Sequence, residues 1–213
     1  MSQAPPSANE IQPPQSERAY RILERMIVTL KLEPGSTLTE GGLIERVDLG
    51  RTPVREAIQR LAWEGLLEIR PRSGVKIAEL DPADFPKVLA VREGVEMVLA
   101  WGAANYASPA HDREFGRIGM QMVDAMQKKD VELFLDADKA FDAVLGQASS
   151  NPYAARLAAP LQTHSRRFWF RLQRPDSLKL AAERHVAVIE AIVARDGDAA
   201  EKAAESLIGH LLR

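Results

Sequence analysis

Cysteine is missing from this chain of 213 residues. That absence excludes disulfides and thiolate metal sites and gives no reason to expect an oxidising compartment. Long apolar runs are missing as well: none approaches the roughly 20 residues needed to span a bilayer. The opening stretch MSQAPPSANEIQPPQ has neither a basic start nor an apolar core, so it does not read as a secretory signal. Residues 1–15 are expected to be a disordered tail, and the protein is expected to be cytoplasmic, with no membrane partner. Charge of one sign is also lacking. The chain holds 28 Lys and Arg against 30 Asp and Glu, and residues 1–79 hold eleven of each. Any electrostatic footprint for an anionic partner must therefore be gathered locally by the fold. What the chain does have is 46% hydrophobic residues, over a length that can fill two small domains.

The stretch LGRTPVREAIQRLAWEG, residues 49–65, is where chemistry first shows. Thr52 can cap a helix with Pro53 at its first position. Val54, Ala57, Ile58 and Leu61 then repeat at the spacing of a buried stripe, which turns Arg51, Arg55, Glu56 and Gln59 outward. Arginine forks hold phosphates or a guanine edge, and the first turn of such a helix is the part that enters a DNA major groove. In isolation the same face could be the solvated side of an ordinary core helix. Its surroundings argue otherwise. Leu43, Ile44 and Val47 mark a short helix over 39–47, and LLEIR and GVKIAEL flank a tight basic turn with Arg72, Ser73 and Gly74 at its tip. A helix with Ser16 as cap and a stripe from Ala19 to Leu30 precedes them, ended by Pro34 and Gly35. Helix, turn, helix and hairpin make a winged helix-turn-helix.

Asp81 and Pro82 form a cap and a good first helical residue, which places a domain boundary near Leu80. Beyond it the chain has helical period throughout, with breaks at Ser108-Pro109, Lys129-Asp130, Asn151-Pro152, Pro175-Asp176 and Gly197-Asp198. Six helices are expected, over 82–106, 109–128, 131–149, 152–173, 177–195 and 198–212, packed as an antiparallel bundle. The fold class is thus mainly α: a winged helix-turn-helix over 16–79 and a six-helix bundle over 80–213.

Charges lie on the buried faces of this bundle. Arg92 and Glu96 share the stripe of its first helix and Asp138 and Asp142 that of its third, while His164, His185 and His210 stand beside apolar neighbours on the last three. Such groups cannot be buried alone: they pair with one another, bind an ion, or hold a ligand. Asp138 and Asp142 are four residues apart and project from one side of a helix, so with two imidazoles they could enclose a divalent cation. The alternative is a satisfied core network of Asp, Arg and His.

Two sets of motifs carry a resemblance. LEPGSTLTE, RTPVREAIQRL, EGLL and RSGVKI, in order over residues 16–79, look like the DNA-binding domain of GntR-family bacterial transcription regulators. VREGVEMVLAWGAA, DADKAFDAVLGQASSNP, ERHVAVIEAI and GHLLR, over 85–213, resemble the ligand-binding FCD domain of the FadR subfamily. The resemblance implies a homodimeric repressor that binds a pseudo-palindromic operator in double-stranded DNA through Arg51, Thr52, Arg55, Gln59, Arg72 and Gly74. It also implies a small organic carboxylate as effector, with Arg92 and His164 as candidates to hold it. In metal-binding relatives one Asp and three His hold an ion, and these positions fall on Asp138, Asp142, His185 and His210. Asp142 stands where a His is usual. Exchanging nitrogen for oxygen there tilts the expected metal toward Mn²⁺ or Mg²⁺ and away from Zn²⁺ or Ni²⁺. The rival class is a metal-dependent hydrolase or isomerase using the same four residues, but the sequence offers it no separate base or nucleophile.

Overall fold

The computed structural model describes residues 13–211. Residues 1–12, most of the expected tail, lie outside the described residues, and Gln15 already opens the first helix. The described residues divide into two compact units: 13–27 with 32–78, and 28–31 with 79–211.

The first unit opens with α1 (Gln15–Val28), where Ser16 sits inside the first turn and is not its cap. The helix stops short of Pro34. Leu30 takes a left-handed conformation, and the Leu32 N–H reaches back to the Met26 carbonyl at 3.0 Å. After β1 (Thr37–Leu38) comes α2 (Glu40–Val47), capped by the Thr39 hydroxyl, which accepts the Gly42 N–H at 3.0 Å. Asp48, at positive φ, turns the chain into α3 (Arg51–Trp63). Here the sequence expectation needs correcting: Gly50, not Thr52, occupies the cap position, and no side chain caps the helix. Pro53 is third in the helix, still within the turn whose N–H groups have no intrahelical acceptor, so its missing donor is harmless there.

Gly65 closes α3 in the left-handed region, with the Leu66 N–H on the Leu61 carbonyl at 2.9 Å. This is the Schellman closure, and it explains the glycine of EGLL. Strands β2 (Leu67–Arg70) and β3 (Gly74–Ile77) form the expected hairpin, and β1 pairs with β3 on its other side. At two residues, β1 is too short to leave an alternating pattern in the sequence. The core of the unit joins Ala19, Leu23 and Ile27 of α1 to Leu43 of α2, Val54 and Leu61 of α3, and Leu66 and Ile77 of the hairpin segments.

The second unit is helical. A 3-10 turn (Pro82–Asp84), capped by Asp81, leads into α4 (Phe85–Tyr106). There follow α5 (Pro109–Lys128), α6 (Val131–Ala148), α7 (Pro152–Leu172), α8 (Ser177–Val193) and α9 (Gly197–His210). Ser108, Asp130, Asn151 and Asp196 each accept a first-turn N–H from the helix that follows. Asp196 makes α9 begin one residue before the expected position. Helix α4 is the central element and packs against α6, α7, α8 and α9. Its inward positions Phe85, Leu89, Arg92, Glu96, Leu99 and Ala103 recur at helical spacing, so two charged residues are carried to the middle of the bundle. No helix among the described residues is long and apolar enough to cross a membrane.

Candidate functional site

Two places concentrate chemistry, one in each unit. The first is the outer face of α3. Arg51, Thr52, Arg55 and Gln59 are exposed there, opposite the buried stripe of Val54, Ala57, Ile58 and Leu61. Because Gly50 takes the cap position, the Thr52 hydroxyl is not engaged as a cap and the first-turn N–H groups remain open. Arg55 is held from α2, its Nε 2.6 Å from Glu40 Oε1. Arg60, one turn from the end of α3, turns instead to its own domain. Its guanidinium lies 3.6 Å from the centroid of the Tyr20 ring and bonds Glu17 and Glu64.

At the hairpin tip Arg72 is exposed and left-handed, with φ of 63°. Gly74 has φ of 96°, and a Cβ there would stand 2.3 Å from the Leu38 carbonyl oxygen of β1. Its glycine therefore has a steric reason: it lets β3 close on β1.

The second place is a buried charge cluster built by four helices. Arg92 and Glu96 come from α4, Asp138 and Asp142 from α6, Gln162, Thr163, Ser165 and Arg166 from α7, and His185 from α8, all less than a tenth exposed. Arg92 donates through Nε to Glu96 at 3.0 Å and through Nη1 to Ser165 at 2.8 Å. Gln162 donates to the same Glu96 oxygen at 2.8 Å. Arg166 is the hub: one guanidinium nitrogen bonds both Asp138 Oδ2, at 3.2 Å, and Asp142 Oδ2, and the other bonds the Thr163 hydroxyl at 3.0 Å. His185 completes the set. Its Nε2 is 2.8 Å from Asp138 Oδ1 and its Nδ1 2.7 Å from the Ala181 carbonyl. Both ring nitrogens thus face acceptors, which suits a doubly protonated ring.

The charges explain the proton affinities. Three carboxylates face two guanidiniums, leaving one negative charge for a proton to balance. Burial alone would raise Asp138, but the hydrogen bond and charge of His185, backed by Arg166 and Arg92, hold its carboxyl well below the usual range. Burial, with the repulsion of Asp138 and Glu96, pushes Asp142 up to about 7 against the pull of Arg166 and Arg92. Burial would lower His185, yet Asp138 and the Ala181 carbonyl raise it above its ordinary value.

Beside this network lies a cavity walled by Arg92, Asp138, Ser165, Arg166, Trp169 and His185, with Phe134, Leu135, Leu207 and Leu211 as its apolar sides. Only about 20 Å³ of it is open to the centre of a water molecule, room for roughly one water. Trp169 lines this wall, and its indole N–H is buried with no hydrogen-bond acceptor among the described residues.

Sequence reasoning found Arg92, Glu96, Asp138, Asp142 and His185, and the fold brings these together. It does not bring the four expected metal ligands to one point. Among the described residues no group of three His, Asp or Glu side chains could hold a metal ion. His210 is half-buried near the end of α9 and is not among the residues lining the cavity. The point between Asp138 and Asp142 where an ion would sit is taken by the Arg166 guanidinium, so these residues do not fit the metal that the resemblance implied. His164 lines a separate groove with Asp84, Lys87 and Phe168.

The residue that the sequence reading missed is Arg166. The buried stripe of α7 runs Ala154, Ala158, Gln162, Ser165, Trp169, and its polar middle hid a regular period on which Arg166 is the inward neighbour.

Comparison with known proteins gives both units a family. Residues 87–210 match the model described as the FCD domain, and residues 15–77 match that of the bacterial regulatory proteins of the gntR family. The HTH-type transcriptional repressor RspR of Escherichia coli K12 is 28% identical over 191 residues, covering 89% of this chain and 84% of that protein. The galactonate operon transcriptional repressor of the same strain is 26% identical over 220 residues, covering 93% and 95%. Among solved structures, E. coli McbR/YncC superposes with a TM-score of 0.80 over 94% of this chain and 96% of that one, at 18% identity, a likeness of fold. These relatives are regulators, which removes the hydrolase reading. The chain belongs to the GntR family of bacterial transcription regulators, in the branch that joins the winged helix-turn-helix to an FCD domain.

Proposed function

We propose that this regulator is a repressor: as a homodimer it binds a pseudo-palindromic operator through residues 16–79 and is retuned by a small organic carboxylate held in residues 80–213. Two of its relatives carry the name repressor. For DNA, the support is the exposed face of α3. Arg51 and Arg55 offer forked donors to guanine edges, Gln59 can read adenine, and the uncapped first turn with the Thr52 hydroxyl suits a phosphate. Arg72 at the wing tip is placed for phosphate or the minor groove, with Gly74 shaping the turn. For the dimer, the support is an exposed apolar stripe on α4, Val91, Val98 and Trp101, on a helix whose other side is already filled.

The observation that carries the effector reading is Trp169, whose buried N–H has no acceptor among the described residues, in a wall that also holds Arg92, Ser165 and His185. A buried donor without an acceptor costs about 1–3 kcal/mol, which an entering carboxylate oxygen would recover. The cavity has no room for such a ligand as it stands, so the acid binds a wider arrangement of the bundle and draws the population toward it. That differential affinity is what a ligand-responsive regulator requires. The test is thermal stabilisation by a panel of small organic acids, comparing the native protein with Trp169→Phe, which keeps the ring and removes only the donor. An acid that stabilises the native protein should bind about 5- to 30-fold more weakly to Trp169→Phe, the equivalent of about 1–2 kcal/mol for one hydrogen bond. Equal binding by both would exclude this wall as the ligand site.

A further inference from the structure

Arg166 stands where two buried carboxylates converge, and it touches both. Its Nη1 lies on Asp138 Oδ2 and Asp142 Oδ2, while Nη2 is anchored by the Thr163 hydroxyl of its own helix. Three further features fix it there. The guanidinium is less than a tenth exposed, as are both carboxylates. The second oxygen of Asp138 is covered by His185 at 2.8 Å. Arg92, with an Nη 3.9 Å from Asp142 Oδ1, closes the remaining side. A planar cation with several donors does here what a divalent ion does between oxygen ligands: it neutralises two like charges four residues apart on one helix and locks the rotamers of both.

We propose that Arg166 is a built-in cation, so that this bundle organises Asp138, Asp142 and His185 without a metal and presents only protein cations to any ligand. The step is independent of whether the adjoining cavity is the effector site. It also accounts for Asp142. A neutral imidazole at that position could accept the bond that the guanidinium donates there but would not balance its charge, whereas a carboxylate does both. The arginine and the second aspartate therefore work as a pair, and the substitution that makes position 142 a poorer soft-metal ligand makes it the better partner for Arg166.

Two measurements on the full-length protein test this. The first is elemental analysis after purification without a metal-affinity tag, followed by titration of chelator-treated protein with Mn²⁺, Mg²⁺, Ni²⁺ and Zn²⁺. The expected result is no stoichiometric metal, no fall in Tm with chelator and no rise with any of the four ions; one bound ion per chain that stabilises the native protein would overturn the proposal. The second compares Arg166→Gln with the double variant Arg166→Gln/Asp142→Asn. Removing the cation alone leaves two carboxylates facing each other in the interior, and the Tm should fall by roughly 10 °C or more. Neutralising Asp142 as well should recover more than half of that loss. Should Arg166→Gln fail to fold, the double variant is still expected to fold, and a double variant no more stable than the single one defeats the idea that Arg166 serves as a counter-charge.

Discussion

The arginines of α3 and those of the bundle are the same side chain in two opposite situations. Arg51 and Arg55 stand on a solvated face. Arg92 and Arg166 are less than a tenth exposed and are bound on several sides by carboxylates and hydroxyls. An exposed ion pair such as Arg55 with Glu40 contributes a few tenths of a kcal/mol to about 1 kcal/mol and can be exchanged for a phosphate or a base. A buried one is different. Its net contribution is modest, but breaking it strands a charge in the interior. The comparison teaches where each unit can change partners: the α3 face freely, the bundle interior only by replacing one complete set of bonds with another.

The sharpest way to break that comparison is to truncate one arginine of each kind. Arg92→Ala leaves Glu96 and Asp142 facing one another without their shared cation, and should lower stability by about 3–5 kcal/mol in denaturant unfolding. Arg51→Ala and Arg55→Ala should each lower stability by no more than about 1 kcal/mol. Instead they should weaken binding to the specific operator by about 1–3 kcal/mol for a lost bidentate base contact, read in gel shifts against specific and scrambled duplexes. If both bind the operator like the native protein, α3 does not read bases. Smaller again is the effect expected at the wing. Arg72→Ala should weaken binding to all sequences alike and lower the slope of log K against log salt by about 1, with the preference for the operator kept. An unchanged slope would leave the hairpin a structural element only.

The wing and α3 were legible in the sequence because their signals are local. Alternating residues around a basic turn, Gly65 after a helical stripe and the RTPVREA pattern each depend on neighbours a few positions away. The start of α3 was misread for the same kind of reason. Thr52 is a good cap by type, but the backbone is already extended at Gly50, and a cap is chosen by conformation before chemistry. In the bundle, helix ends were legible from Ser108, Asp130 and Asn151, whose side chains do accept the first-turn N–H groups. The interior of α7 was not. His164 seemed the inward residue because Leu161 and Phe168 flank it, whereas the buried stripe passes through Gln162 and Ser165, polar residues that conceal a period when only apolar ones are counted.

The sequence by itself determined the helices and the two hairpin strands, that charges would be carried into the bundle on α4 and α6, and that such charges could not remain alone. Those conclusions follow from periodicity and from the cost of burying an ion, and both can be read along one chain. Only the tertiary structure decided what neutralises them. Asp138, Asp142, Arg166 and His185 come from three helices and span almost fifty residues of chain, and a few ångströms separate an arginine that bridges two aspartates from one that leaves room for a metal. Coulomb attraction and hydrogen bonding act over those few ångströms, and the packing of α6, α7 and α8 sets them.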